Sequence, residues 1–176
     1  MIKPTPRPTT IPDDTPATTV TSPALSVEWA DDCVPIDALC RYMLYGGTDN
    51  IRLALPPEYI TYTVQSYGAA GALLGSEDKV LEYAGKLLLA GINMKYGKIT
   101  AIDYRIIDRR IMRPADLSSL CGSIPALGMT VMPTEAHYLT LDITFNSSKG
   151  IFTERLEPRV LLIDGSWYLD PEDLDF

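Results

Sequence analysis

The sequence predicts an α+β fold in which three N-terminal helices precede an antiparallel sheet of about four strands. Three observations carry this. Apolar residues recur with a period of 3.6 between Pro35 and Gly97, the period drops to 2 beyond Gly97, and the chain closes on "VLLIDGSWYLD", two apolar runs joined by Asp164 and Gly165. A run of helices followed by a run of strands places the helices on one face of the sheet.

The first helix begins near Asp32 with Pro35 in its opening turn. Ile36, Leu39, Cys40, Met43 and Leu44 form its apolar face, and Gly46-Gly47 stop it. A second helix opens at Pro57, carries Ile60, Val64 and Tyr67, and closes at Gly68 and Gly71, with "YGAAGALLG" reading as a flexible connector. Ser76 is the N-cap of a third, and Glu77 and Asp78 stand where the helix dipole favours negative charge. Val80, Ala84, Leu87, Leu88 and Gly91 share a face that Leu81 and Leu89 widen, so this helix reads as the most buried of the three.

In "KITAIDYRIIDRRIM", Ile102, Tyr104 and Ile106 face one way and Asp103, Arg105, Ile107 and Arg109 the other. The adjacent Ile106 and Ile107 point to a bulge. Pro114 starts a short helix or turn. "TEAHYLTLDITF" then alternates, with His137, Leu139, Leu141, Ile143 and Phe145 on its apolar face. "IFTERLEPRVLLI" is a third long strand, in which Pro158 lacks a ladder donor and implies a bulge or a local edge. "SWYL" is the last strand.

Length and composition suit one domain over residues 26–176, preceded by a disordered Pro/Thr-rich stalk or linker over 1–25. The chain has 176 residues, 46% of them hydrophobic and 22% charged. A formal charge of -8 and a pI near 4.6 argue against nucleic acid as a partner, because phosphate binding relies on clustered Lys and Arg. The one basic cluster, Arg105, Arg109, Arg110 and Arg113, is interleaved with Asp103 and Asp108 and reads as a solvated strand face. Cys33, Cys40 and Cys121 are an odd count, and the first two lie about 10 Å apart along one helix, too far for a disulfide. They read as small buried hydrophobes. With His137 as the single histidine and no CxxC spacing, no metal or cofactor is expected.

The helix and "PPE" helix start in "LCRYMLYGGTDNIRLALPPEYI", together with the closing "VLLIDGSWYLDPE", resemble the nuclear-transport-factor-2-like (cystatin-like) superfamily. The chain looks most like the small extracytoplasmic domains of bacterial lipoproteins in that group. The resemblance covers about residues 30–172. It implies that the sheet is strongly curved and wraps the helices into a cone. Members range from isomerases and hydratases to binding and structural domains. A ligand pocket inside the cone is then expected to draw on Tyr104, His137, Leu139, Leu141, Tyr83 and Trp167.

The leading expectation is a non-enzymatic extracytoplasmic domain, held at the membrane by an anchor ahead of the stalk. Its partner is a small apolar ligand or a protein, and the sheet offers a face for a homodimer. One alternative is an enzyme of the cone-pocket type, with isomerase or hydratase chemistry centred on His137 and Tyr104. Another is a spacer domain, and a cytoplasmic location is the alternative to surface anchoring.

Overall fold

The computed structural model describes residues 31–174. The stalk expected over 1–25 lies outside the described residues, as do positions 26–30 and the last two residues. After a single 3-10 turn, Asp31–Cys33, come five helices: α1 (Val34–Tyr45), α2 (Thr48–Ala54), α3 (Pro57–Ser66), α4 (Gly68–Leu74) and α5 (Glu77–Tyr96). Strand β1 (Ile99–Ile111), helix α6 (Pro114–Ser123), and strands β2 (Glu135–Ser147), β3 (Gly150–Leu156), β4 (Arg159–Ile163) and β5 (Ser166–Leu169) complete the order.

The helices expected at α1, α3 and α5 form with the signals that announce them. Gly46 ends α1 at φ 70°, and its N–H donates to the Tyr42 carbonyl. The Ser76 hydroxyl accepts the Lys79 N–H at 3.3 Å. Glu77 and Asp78 accept from the Arg52 guanidinium at 2.8 and 2.9 Å, tying α5 to α2. The count of three N-terminal helices is corrected to five. Seven-residue α2 hides in the "TDNIRLA" lead-in to Pro57, where it buries only Ile51 and Ala54. Helix α4 replaces the expected connector because Gly71 lies close against Tyr67 and Val80. Nor is α5 the most buried helix: Leu87 on its expected apolar face is 53% exposed, whereas α1 buries Pro35, Ile36, Ala38, Cys40 and Tyr42 within 12 residues. Helix α1 packs on the sheet directly, and α5 is half covered by solvent.

The sheet is antiparallel and curls into a half-barrel with strand order β1-β2-β4-β5. Strand β3 also pairs with β2, along the stretch that β4 leaves open. Pro158 thus does more than bulge a strand. It divides the expected third strand in two, so that β3 follows residues 141–147 of β2 and β4 follows 135–138. The register of β1 on β2 shifts between Ile106 and Asp108, at the expected bulge. Asp164 and Gly165 turn with φ of 49° and 78°, the positive pair that a two-residue hairpin requires.

The main core lies on the concave face, where Ile36 and Cys40 meet Ile92, Tyr96, Ile102 and the inward residues of β2. A second core on the opposite face joins Leu120, Ile124 and Met129 to Ala136, Leu161 and Ile163. Helices therefore cover both faces at the β2–β4 end, which corrects the one-face expectation. The continuous apolar run "VLLI" is the local cause, since a strand buried on both faces loses its alternation.

Candidate functional site

Helix α1 and the second half of α5 cross the concave face without filling it. A cavity of about 340 Å³ remains, walled by Ile36, Leu39 and Met43 of α1, Ile92 of α5, and Leu141 and Ile143 of β2. This falls within the ~300–1,000 Å³ typical of small-molecule sites. A second space of about 270 Å³ lies among α1, α2, α3 and α5, and Leu39 and Leu174 border both.

The polar part of the first cavity is its mouth. Glu157, Asp170, Glu172 and Asp173 line it, from the β3–β4 break and from the 3-10 turn Pro171–Leu174 that follows β5. Arg159 organises these acids: its backbone N–H donates to Asp173 Oδ2 at 2.6 Å, and its Nη2 donates to Glu172 Oε2 at 3.0 Å and Asp173 Oδ1 at 3.1 Å. Asp170 is fully buried, and its Oδ1 accepts the Glu172 N–H at 3.0 Å. Its Oδ2 lies 3.2 Å from Arg159 Nε but outside hydrogen-bond alignment, and accepts no hydrogen bond among the described residues. Burial raises the Asp170 pKa above its ordinary value, because the charged form has lost water that Arg159 only partly replaces.

A second polar cluster lies deeper, at the start of β2. Asp32 Oδ2 accepts from Arg109 Nε at 2.6 Å and faces His137 Nδ1 at 2.8 Å. His137 Nε2 meets Glu135 Oε1, and the Trp167 ring lies 4.4 Å from the imidazole. Arg109 was expected on the solvated face of β1. The bulge at Ile107 adds one residue, which reverses the alternation beyond it and turns Arg109 inward, opposite buried Leu139. Asp32 and His137 are both buried, so this charged group pins the chain preceding α1 to the far end of the sheet.

The expected pocket residues are spread over four places. Leu141 lines the cavity, while Leu139 is fully buried in the adjoining core. His137 and Trp167 stack together in the Asp32 cluster. Tyr83 sits on the outer side of α5, 46% exposed, edge-on to Tyr67. The Tyr104 hydroxyl donates to Asp37 Oδ1 at 2.6 Å, and burial together with that carboxylate raises its pKa.

His137 and Tyr104 are not brought together. Tyr104 pairs with Ile143, which is six residues from His137 along β2, or about 20 Å in an extended strand. Each has its own carboxylate, and neither lines the cavity. The thiols of Cys33 and Cys40 are pushed up to about 12 by burial, reinforced by nearby Asp32 and Asp37 respectively, so neither is a thiolate near neutral pH. Sequence reasoning did not single out Asp32, Asp37 or the mouth acids as site residues. A signal for the mouth existed in "LDPED", three carboxylates (Asp170, Glu172 and Asp173) and a helix-starting proline within eight residues of Gly165 in the hairpin turn.

No family model, curated protein or solved structure matches this chain.

Proposed function

We propose that this is a non-enzymatic binding domain of the nuclear-transport-factor-2-like cone type, which holds a small apolar ligand between α1, α5 and the sheet. The single observation that carries the reading is the 340 Å³ apolar cavity within the curled sheet. Apart from the four acids at its mouth, its lining is aliphatic but for Cys40, Pro158 and the aromatic rings of Tyr96 and Phe145. The Tyr96 hydroxyl is already engaged, donating to Glu154 at 2.6 Å. A site of this composition selects by shape and apolar burial, at roughly 25 cal/mol per Å² removed from water.

The Pro/Thr-rich first 25 residues support placing the domain on a stalk outside the cytoplasm, anchored at a membrane. Surface proteolysis of intact source cells tests that location. Ligand binding is tested with N-phenyl-1-naphthylamine, a neutral fluorophore that brightens in apolar sites. The full chain is expected to bind it saturably at one site per molecule, and Met43→Trp, which fills the cavity from α1, is expected to abolish the signal. Absence of saturable binding by the wild type, or full binding by Met43→Trp, overturns the reading.

A further inference from the structure

The geometry points to a cationic amphiphile as the ligand: an apolar chain buried in the cavity and a protonated amine held by the mouth carboxylates Glu157, Asp170, Glu172 and Asp173. This rests on the reading that the cavity binds a ligand at all, and adds to it the chemistry of the head group.

Charge balance is the first ground. Four carboxylates line the mouth; among the described residues Arg159 is the cation paired with three of them, and Arg155, bonded to Asp142, attracts the fourth, Glu157. Arg159 is committed to Glu172 and Asp173 and stands close to Asp170, so the four acids keep an excess of negative charge. Glu157 and Glu172 are solvent-exposed, which sets them where a head group meets water as the chain enters.

Asp170 supplies an independent ground. Its Oδ2 is the single buried side-chain polar atom among the described residues that accepts no hydrogen bond. A buried acceptor without a donor carries a desolvation cost that an incoming N–H relieves. An ammonium brings several such donors together with a positive charge that adds to the partial neutralisation by Arg159. The same arrangement disfavours a fatty-acid-like ligand, because its carboxylate would be desolvated beside like charges.

The test is displacement of N-phenyl-1-naphthylamine from the full chain by dodecylammonium, dodecanol and dodecanoate, at pH 7 and low salt, below their micelle concentrations. Dodecylammonium is expected to displace the probe at concentrations lower by about tenfold than dodecanol, with dodecanoate weakest, as a partly desolvated charge contact dictates. Glu157→Gln combined with Glu172→Gln, and separately 0.5 M salt, are expected to narrow the gap between ammonium and carboxylate. Equal displacement by all three ligands, or tighter binding of dodecanoate, overturns the cationic assignment and leaves the apolar cavity standing. Failure of the probe itself to bind the wild type overturns both.

Discussion

Replacing Asp32 with Asn removes the charge at the centre of the buried cluster while keeping its shape. Asp32 is 1% exposed, and its Oδ2 takes Arg109 Nη2 at 2.5 Å, Arg109 Nε at 2.6 Å and His137 Nδ1 at 2.8 Å. The guanidinium of Arg109 is only 14% exposed and His137 only 3%, so water replaces little of what is lost. Breaking a buried ion pair from one side costs about 3–5 kcal/mol. The Asn carbonyl still accepts one bond, which places the expected loss near the lower end, about 3 kcal/mol. In a domain of this size that lowers Tm by roughly 6–12 °C. Urea unfolding at pH 7 measures it, as a shift in midpoint with an unchanged slope. Adding Arg109→Met to Asp32→Asn removes the other side of the same ion pair, so the two losses are expected to sum to less than full additivity. A loss below about 1 kcal/mol for Asp32→Asn, or simple additivity in the double variant, refutes the reasoning.

Three further outcomes are expected. A methyl group on Gly85 falls 2.0 Å from the Tyr42 hydroxyl oxygen and 2.8 Å from Ile51 Cδ1, so Gly85→Ala destabilises by about 1–3 kcal/mol; Gly91→Ala on the same helix meets open space and stabilises by up to about 1 kcal/mol, and calorimetry of both separates packing from propensity. Glu58 accepts from the Thr130 hydroxyl at 2.6 Å, the Thr130 N–H at 2.7 Å and the Val131 N–H at 2.9 Å, and these bonds lower its pKa below 4.5. Its stabilisation is therefore complete above pH 4.5 and disappears as pH falls through the lower folded value, so Glu58→Gln is expected to show a shallower acid loss in urea melts between pH 5 and 3. Deleting residues 164–176 removes β5, buried Leu169 and the Asp173 partner of Arg159, and is expected to abolish cooperative melting by circular dichroism.

The boundaries of α1 and α5 and the closing hairpin were legible because their signals are local. Ser76, Gly46, Gly97 and the Asp164-Gly165 turn act within a few residues of themselves, and each does in the fold what its chemistry predicts. The two short helices were hidden for the opposite reason. At seven residues, neither α2 nor α4 has the length to show a period, and each is held by its neighbours: α2 by the Arg52 bonds to α5, α4 by Gly71 against Val80. The mouth acids were equally hard to see as a set, because the Pro158 break and the turn after β5 come together only once β4 has paired with β5.

Arg109 shows where the limit lies. Alternation alone sends it outward with Asp103 and Arg105, yet the same reading placed a bulge two residues before it. One extra residue reverses every side chain that follows until the register is restored. Ile102, Tyr104 and Ile106 face in, the bulge passes at Ile107, and Arg109 faces in as well, opposite Leu139. An arginine turned toward an apolar layer needs a buried anion within reach, and "DDC" supplies one 77 residues earlier in the chain. The bulge and the buried acid ahead of the first helix are thus two halves of one feature. Carrying the parity change through to Arg109 turns a supposed solvated basic face into a demand for Asp32, and His137, two residues beyond Glu135 on the paired strand, completes the contact.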